Sequence, residues 1–219
     1  MGKAPRAARV PNEFPIFPLP GAVLLPGGKL PLNIFEPRYL AMVEDALGAG
    51  RVIGMIQPDA LRAPTPTGPA VYRVGCLGRI TSFSETDDGR YLITLTGVTR
   101  YEVTAELEMR RGYRRVRADL DRFAADLEPQ AANIDRQRLL DALRGYFAAR
   151  GFDANWEAIS EMPDEVLVAT LAMVCPFEPP EKQALLEAPS TEERAEALLA
   201  LLRMGAHQPD PAQQTRSLS

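Results

Sequence analysis

The chain has 219 residues, of which 46% are apolar and 25% charged, proportions that are ordinary for a soluble globular protein. They exclude a disordered chain, a collagen-like repeat and, with two cysteines, a disulfide-stapled scaffold. The 25 basic and 29 acidic side chains give a net charge of −4, which does not point to nucleic acid as a partner. Val166–Cys175 is the longest near-apolar stretch, and it is too short for a membrane span of about 20 residues. We therefore expect a soluble, cytoplasmic protein with no membrane partner.

The first part of the chain is predicted to form short β-strands and one helix. Twelve of the 20 prolines precede residue 70, and proline cannot donate a hydrogen bond to a sheet ladder. Short apolar runs between them predict strands at Phe14–Phe17, Ala22–Leu25, Leu30–Ile34 and Val52–Gln57. An amphipathic helix is predicted where apolar side chains recur at helical spacing, at Tyr39, Met42, Val43, Ala46 and Leu47.

A long hairpin and further strands are predicted next. Asp87-Asp88-Gly89 supplies an Asp-Gly pair, which tolerates the positive φ of a tight turn. We expect Gly97 to permit a second tight turn and Gln57–Pro69 to be a loop. The strand-like runs are Val74–Ser84, Tyr91–Gly97, Thr99–Leu107 and Tyr113–Leu120. Strands of this spacing favour a small barrel or sandwich.

After residue 128 the apolar side chains recur with the period of an α-helix. The predicted stripes are Leu140, Leu143 and Phe147; Leu167, Leu171 and Val174; and Ala195, Leu198, Leu199 and Leu202. Residues 1–120 hold 16 basic and 12 acidic side chains, whereas residues 121–219 hold 9 and 17, which favours two subdomains. We predict an α+β protein with a flexible N-terminus (1–12), a β-rich subdomain (13–122), a linker (123–132), a helical subdomain (133–205) and a disordered tail (206–219).

The sequence offers no catalytic or metal-binding constellation. His207 is the only histidine and follows the last helical stripe, so no histidine-based triad is expected. Cys76 and Cys175 are 99 positions apart and carry no nucleophile motif. Gly27-Gly28-Lys29 fails the phosphate-loop pattern on both sides. We therefore predict that the chain is not an enzyme and that it uses no cofactor.

A basic cluster lies at the predicted turn before the last strand. An aromatic ring among arginines could stack on bases and neutralise an RNA backbone. The other interpretation, which we favour, is a solvated barrel face whose long side chains cover apolar surface. The residues of this candidate nucleic-acid patch are Arg110, Arg111, Tyr113, Arg115 and Arg117.

Motifs spread along the chain resemble one family. The block Leu30–Tyr39, LPLNIFEPRY, is the most specific, and with Phe17-Pro18-Leu19 and Leu25-Pro26-Gly27 it resembles the start of the Lon N-terminal, or substrate-binding, domain. Further matches resemble the central hairpin and the helical end of that family, at Asp88-Gly89-Arg90, Gly97, Arg100-Tyr101, Glu181–Glu187 and Arg194. The resemblance extends over roughly residues 13–204.

The resemblance implies a PUA-like pseudo-barrel of short antiparallel strands followed by a C-terminal helical bundle. It also implies a non-catalytic binding module for unfolded or flexible polypeptide, with an ATP-dependent protease as a possible partner. Because the chain shows no ATPase motif, we expect a stand-alone member lacking the ATPase and protease domains. RNA binding through the basic cluster is the alternative function.

Candidate binding residues come from the family motifs, and we expect the client groove where the β subdomain meets the helices. Phe35 and Tyr39 are expected to seat the first helix on the barrel. The motif residues taken as candidate contacts are Leu19, Phe35, Arg38, Tyr39, Arg100 and Tyr101.

Overall fold

The computed structural model describes residues 10–128 and 132–207. Most of the predicted flexible N-terminus and tail, and residues 129–131 of the predicted linker, lie outside the described residues. Within the described ranges the chain forms six β-strands. They are β1 (Glu13–Pro18), β2 (Lys29–Ile34), β3 (Val52–Ile56), β4 (Val74–Glu85), β5 (Tyr91–Arg110) and β6 (Tyr113–Asp119).

Six α-helices and one 3-10 helix complete the described part of the chain. The 3-10 helix spans Asp121–Leu127 and follows the last strand directly. The α-helices are α1 (Pro37–Gly48), α2 (Arg136–Arg150), α3 (Trp156–Glu161), α4 (Asp164–Val174), α5 (Pro179–Glu187) and α6 (Thr191–His207). The α+β class and the predicted order, strands with one helix and then helices, are confirmed.

The sheet closes on itself through five of its strands. β5 pairs with β4, β4 with β3, β3 with β1, and β1 with β6, which in turn pairs with β5. β2 extends from the first half of β5 and has no second neighbour among the described strands. The prediction of short antiparallel strands is wrong in two respects, because β1 and β3 are parallel and β5 runs for 20 residues. Register shifts let β5 pair with β4 and β6 along this length.

Gly97 lies inside β5 and not at the predicted turn. The amide of Gly97 donates to the carbonyl of Gly28 (2.9 Å), and the amide of Gly27 donates to the carbonyl of Gly97 (3.0 Å). A Cβ atom at Gly97 would lie 2.0 Å from the carbonyl oxygen of Leu25. Glycine is needed there because another backbone segment crosses the strand. That segment includes Ala22–Leu25, which was predicted as a strand but is an irregular stretch that buries Val23, Leu24 and Leu25.

The main apolar core joins the sheet, α1 and the helical half. It includes Met42 from α1, Leu95 from β5, Leu143 from α2, Leu171 from α4 and Leu198 from α6. A second cluster, which includes Phe14, Leu77 and Val116, belongs to the strands of the closed ring. The predicted helical stripes are therefore core-facing, with one exception: Val174, at the end of α4, is 71% exposed.

Arg100 on β5 connects the sheet to the helical half. Its guanidinium is buried and forms a bidentate ion pair with Asp126 of the 3-10 helix. Nη2 donates to Oδ1 at 2.8 Å and Nε donates to Oδ2 at 2.9 Å. It also donates to the carbonyl of Leu186 at the end of α5 and to those of Ala188 and Pro189, which connect α5 to α6. Residues 123–127, which the sequence analysis placed in the linker, belong to this 3-10 helix. We call the contacts of Arg100 with Asp126 and these carbonyls the Arg100 clasp.

Asp126→Asn is expected to lower the free energy of unfolding by about 3–5 kcal/mol, because it leaves the buried guanidinium without its counter-charge. Urea denaturation measures this as a lower midpoint at constant slope. The matched control is Asp88→Asn, which removes the carboxylate from an exposed pair with Arg90 and should leave the midpoint nearly unchanged, because exposed ion pairs contribute little to stability. Equal midpoints for the two variants would show that the Arg100 clasp does not hold the halves together.

Gly97→Ala is expected to lower the free energy of unfolding by about 1–3 kcal/mol, because the crossing backbone must move away from the new methyl group. Gly145→Ala is the control with the opposite sign. Gly145 lies on α2 with nothing near its virtual Cβ atom, so alanine should stabilise the helix by about 0.5–1 kcal/mol. Denaturant curves of both variants test this, and a neutral Gly97→Ala would contradict the crossing described above.

Candidate functional site

Three of the candidate binding residues have buried side chains. Tyr101 is fully buried; its hydroxyl donates to the carbonyl of Met55 (3.2 Å), and burial raises its pKa well above the usual value. Tyr39 is 8% exposed, and its ring centroid lies 4.3 Å from that of Phe17 on β1. Arg100 is held in the clasp. In the folded chain these side chains support the structure and are not presented to a ligand.

The other three candidates are more accessible. Leu19 is half-buried, and its amide donates to the carbonyl of Ile56 (3.0 Å). Arg38 is exposed; it forms an ion pair with Glu36 (2.8 Å) and lies over the ring of Tyr39. Phe35 is 63% exposed. Tyr39 therefore packs α1 against β1, as expected, whereas the exposed Phe35 does not.

Acidic side chains of α1 neutralise the turn end of the basic cluster. Arg111 pairs with Glu44 (2.7 Å) and Asp45 (3.1 Å), and Arg110 pairs with Asp45 (3.2 Å). Tyr113 is 3% exposed, and its hydroxyl donates to Asp45 (2.7 Å). This hydrogen bond is the main cause that lowers the pKa of Asp45. The tyrosine is therefore not available to stack on a base.

The strand end of the cluster is neutralised in the same way. Arg117 pairs with Glu13 at 2.7 Å, and Arg115 lies 3.9 Å from the same carboxylate. Glu13 belongs to β1, which pairs with β6. The arginines of the candidate nucleic-acid patch thus bind the protein's own carboxylates, and nothing in this geometry favours RNA binding.

Burial, reinforced by the hydrogen bond to Asp45, raises the pKa of Tyr113 from 10.0 to about 12. The protonated phenol therefore stabilises the fold fully below pH 10, and this contribution is lost as the pH rises from 10 towards 12. We expect wild type to lose more stability over this window than Tyr113→Phe, whose side chain does not titrate. The free energy of unfolding of each protein is measured by urea denaturation at a series of pH values. Equal losses in the two proteins between pH 10 and pH 12 would contradict the raised pKa of Tyr113.

An apolar cavity of about 610 Å³ lies between α2, α3 and α4. We call it the helical cavity. Its lining includes Phe147, Phe152, Ile159, Met162, Leu171 and Val174. Two of these residues are exposed to solvent, Phe152 at 43% and Val174 at 71%. Its volume is within the range of about 300–1,000 Å³ that is usual for small-ligand sites.

Local sequence explains why the helices leave this space. α2 ends at Gly151, whose φ of 65° allows the chain to turn sharply. Asn155 caps α3 by accepting the amide hydrogen of Ala158 (3.0 Å), and Pro163 separates α3 from α4. The resulting helix has only six residues and buries none of its side chains fully. It therefore packs beside α2 and α4 without filling the gap between them.

Aromatic contacts shape one wall of the helical cavity. The ring of Phe147 is edge-on to that of Phe152, with centroids 5.7 Å apart, and lies 5.8 Å from the ring of Trp156. Edge-on and tilted pairs at these distances are favourable. Trp156 is the only tryptophan in the chain. It does not line the cavity, but its ring contacts Phe147, so its fluorescence reports on this wall through that contact.

Cys175 is the only lining thiol, and its chemistry is unreactive. Burial raises its pKa to about 12, although nearby Lys182 acts in the opposite direction. The thiol is protonated at neutral pH and is a poor nucleophile. In residues 10–128 and 132–207, no three His, Cys, Asp or Glu side chains converge as a set of metal ligands. The cavity offers apolar contact surface to a ligand.

A second, smaller cavity lies where the sheet meets the helices. It has a volume of about 210 Å³ and is lined by Asp126, Glu165 and Arg194 among others. Burial lowers the pKa of Arg194 to about 10. The expected client groove at this junction is therefore small and of mixed polar and apolar character, whereas the larger apolar cavity lies wholly within the helical half.

The match to a known family decides the classification. The family model described as the ATP-dependent protease La (LON) substrate-binding domain matches residues 13–204. The chain belongs to this Lon substrate-binding domain family. The resemblance seen in the sequence is confirmed, and a substrate-binding module is the function that the family supports.

The relatives of this Lon-family chain are much longer proteins. It is 28% identical to Lon protease 2 of Myxococcus xanthus over 133 residues, which cover 59% of this chain and 16% of that protein. It is 22% identical to the Lon protease of Heliobacterium modesticaldum over 204 residues, 87% of this chain and 24% of that protein. The chain thus spans about a quarter or less of the length of these relatives, and the matches concern the substrate-binding domain.

Two solved structures share the fold. The Lon N-terminal domain protein from Xanthomonas campestris is 24% identical, with a TM-score of 0.59 over 86% of this chain and 97% of that one. The N-terminal domain of the Mycobacterium avium complex Lon protease is 16% identical, with a TM-score of 0.60 over 87% of this chain and 97% of that one.

Among the described residues of the present chain, every helix is too short or too polar to cross a membrane.

The sequence analysis of this Lon-family chain did not identify the helical cavity. Phe152, Ile159 and Met162 lie outside the predicted stripes, and Val174 was assigned to the core. The available signal was a short apolar segment, Trp156 to Met162, between a glycine and a proline. That pattern predicts a short helix, but it does not reveal a space beside it.

Proposed function

We propose that this domain binds unfolded or flexible polypeptide and that apolar side chains of the bound segment enter the helical cavity. The observation that carries the proposal is an open apolar cavity of about 610 Å³ in a member of a substrate-binding family. A folded protein keeps its large apolar side chains inside, whereas an unfolded segment presents them to solvent. The exposed Phe152 and Val174 are suited to meet such side chains.

The contact surface sets the expected affinity. Burying apolar surface stabilises a complex by about 25 cal/mol per Å², but ordering a flexible segment opposes this gain. We therefore expect dissociation constants in the micromolar range, about −8 kcal/mol. Binding of this strength permits capture and release without an energy source in the domain itself.

The proposal describes a binding module and not an enzyme. The relatives are named Lon proteases, and we propose that an ATP-dependent protease is a partner that receives the bound polypeptide. The closed ring of strands, which we interpret as a PUA-like pseudo-barrel followed by a C-terminal helical bundle, would then act as a rigid support. Cys76 and Cys175 are free and buried, which agrees with the cytoplasm as the proposed place of action.

Phe35 is a second proposed contact. It is the one large apolar residue of the LPLNIFEPRY motif with a mostly exposed side chain, and Arg38 lies three positions further along the chain. Leu19, from the preceding motif, is the other accessible candidate. Isolated exposed apolar residues are common on protein surfaces, so Phe35 is secondary to the helical cavity in this proposal.

Val174→Gln is expected to weaken binding of a permanently unfolded, fluorescently labelled protein about tenfold, because it replaces an apolar lining group by an amide that loses water on binding. The matched control is Val166→Gln. Val166 lies on the same helix and is 44% exposed, but it does not line the cavity. Fluorescence anisotropy of the labelled protein gives the dissociation constants.

The same mixtures are analysed for fragments by gel electrophoresis, and we expect none. Equal affinities for the two valine variants would move the binding site away from the cavity. Cleavage that survives repurification, and that stops on substitution of a single side chain, would overturn the non-catalytic proposal.

A further inference from the structure

We infer that the segment between α2 and α4 is a lid over the helical cavity, hinged beside Gly151 and Pro163 and held closed by Arg136. The lid comprises residues 152–162 and contains α3. This inference goes beyond the proposed function, because it concerns how the cavity opens and not what binds there. Only the second of its two experiments rests on that function.

The lid is held in place by little apolar burial. Not one residue from Gly151 to Val166 is buried, whereas the neighbouring helices bury several leucines each, among them Leu143 on α2 and Leu171 on α4. Segments with few buried apolar contacts open at a lower free energy than the core around them. The lid can therefore open while α2 and α4 remain folded.

The lid nevertheless forms a wall of the helical cavity. Ile159 and Met162, three positions apart, both line the cavity and pack against the main apolar core. Their side chains are half-buried, so part of each faces the cavity or solvent. Outward movement of this wall would widen the cavity and expose its apolar lining to a polypeptide segment.

The helical hydrogen bonding is interrupted at both ends of the lid. Gly151 ends α2 with a φ of 65°, the left-handed conformation that glycine adopts without strain. At the other end Met162 is extended, and Pro163, which has no amide hydrogen, precedes α4. Hinges are residues at the ends of elements that absorb backbone rotation. These two points are suited to let the lid swing.

One arginine supplies the polar contacts that hold the lid closed. Nη2 of Arg136 donates to the carbonyls of Ile159 (3.1 Å) and Ser160 (2.8 Å), and Nη1 pairs with Asp164 at the start of α4. Within residues 10–128 and 132–207, every hydrogen bond that joins α3 to another element comes from this guanidinium. We call these contacts of Arg136 the latch.

The latch is reversible because of the groups that it joins. The two carbonyls belong to the last turn of α3, where arginine side chains commonly bind backbone acceptors. Arg136 and Asp164 are both partly exposed, so water can solvate all of these groups when the lid opens. The latch therefore adds to the stability of the closed lid without making it permanent.

A ring contact holds the other end of α3. The ring of Trp156 lies 5.8 Å from that of Phe147, and the guanidinium of Arg144 lies over it, 5.6 Å from its centroid. Trp156 is close in sequence to the Gly151 hinge, whereas the latch holds the end of α3 that is farther from it. Loss of the latch should therefore release the end that carries Ile159 and leave Trp156 in place.

Amide hydrogen exchange of the ligand-free protein, resolved by NMR, tests the lid itself. In wild type we expect residues 156–162 to exchange through local opening, faster than α2 and α4 and at a rate that low concentrations of urea do not change. Arg136→Gln should accelerate exchange in this range about tenfold, because it removes charge-assisted hydrogen bonds from the closed lid.

The matched control is Arg138→Gln. It removes a guanidinium from the same helix, but from a pair with Glu196 on α6, and it should leave exchange in the lid unchanged. Arg136→Lys keeps the charge but lacks the fork that reaches two carbonyls and a carboxylate together, so we expect an acceleration of about threefold.

Two results of the exchange experiment would overturn the inference. Equal acceleration in α2, α4 and the lid would show that Arg136 supports the whole helical half. Exchange in residues 156–162 that is as slow as in α2, and that neither variant of Arg136 changes, would show that the segment is not a lid.

Binding kinetics test whether the lid controls access to the cavity. A lid that opens for entry must open again for release, so a weaker latch changes both rates and leaves the equilibrium nearly unchanged. The probe is a permanently unfolded, fluorescently labelled protein, followed by stopped-flow anisotropy. For Arg136→Gln we expect association and dissociation rate constants that are each about tenfold higher, with a dissociation constant changed by less than about twofold.

The outcomes separate the lid from the proposed function. Weaker binding at an unchanged association rate would mean that Arg136 only supports the lining, and it would overturn the control of access. Equal acceleration by Arg136→Gln and Arg138→Gln would assign the effect to net charge and contradict the latch. No binding by wild type would overturn the proposed function, whereas the exchange rates would still decide whether the lid opens.

Discussion

The Arg100 clasp is the interaction on which the arrangement of the two halves depends. A buried guanidinium needs a counter-charge and hydrogen-bond acceptors, and the partners of Arg100 come from the 3-10 helix, from the end of α5 and from the connection between α5 and α6. Since an unpaired buried charge is costly, these elements are held together or the region opens as a unit. The clasp thus fixes the helical half against the sheet and leaves the helical cavity to be formed by the helices alone.

Much of the fold could be predicted from the spacing of apolar residues and from the prolines and glycines that separate the apolar runs. α1, α2, α4 and α6 followed from apolar residues at helical spacing, and most strands followed from short apolar runs. The errors share a physical cause, because each depends on a contact made by distant residues. Gly97 looked like a turn residue, but it is small because a crossing backbone lies 2.0 Å from its virtual Cβ. Val174 matched a core stripe, but as the last residue of α4 it lines the helical cavity and is 71% exposed.

The candidate site was much harder to predict, because several residues of the family motifs stabilise the fold and are not exposed to a ligand. LPLNIFEPRY and Arg100-Tyr101 identify the family, but Tyr39, Arg100 and Tyr101 are buried and stabilise the fold. The helical cavity depends instead on how three helices fail to fill a space, which local sequence does not encode.

Amide hydrogen exchange tests the central claim most directly. The intact chain is compared with and without saturating amounts of a permanently unfolded polypeptide, and protection is mapped along the sequence. Polypeptide binding in the helical cavity predicts added protection at Gly151–Met162 and at the end of α4, with β6 unchanged. Protection confined to β2, β6 or the turn that carries Arg110 and Arg111 would place the polypeptide elsewhere and contradict this account.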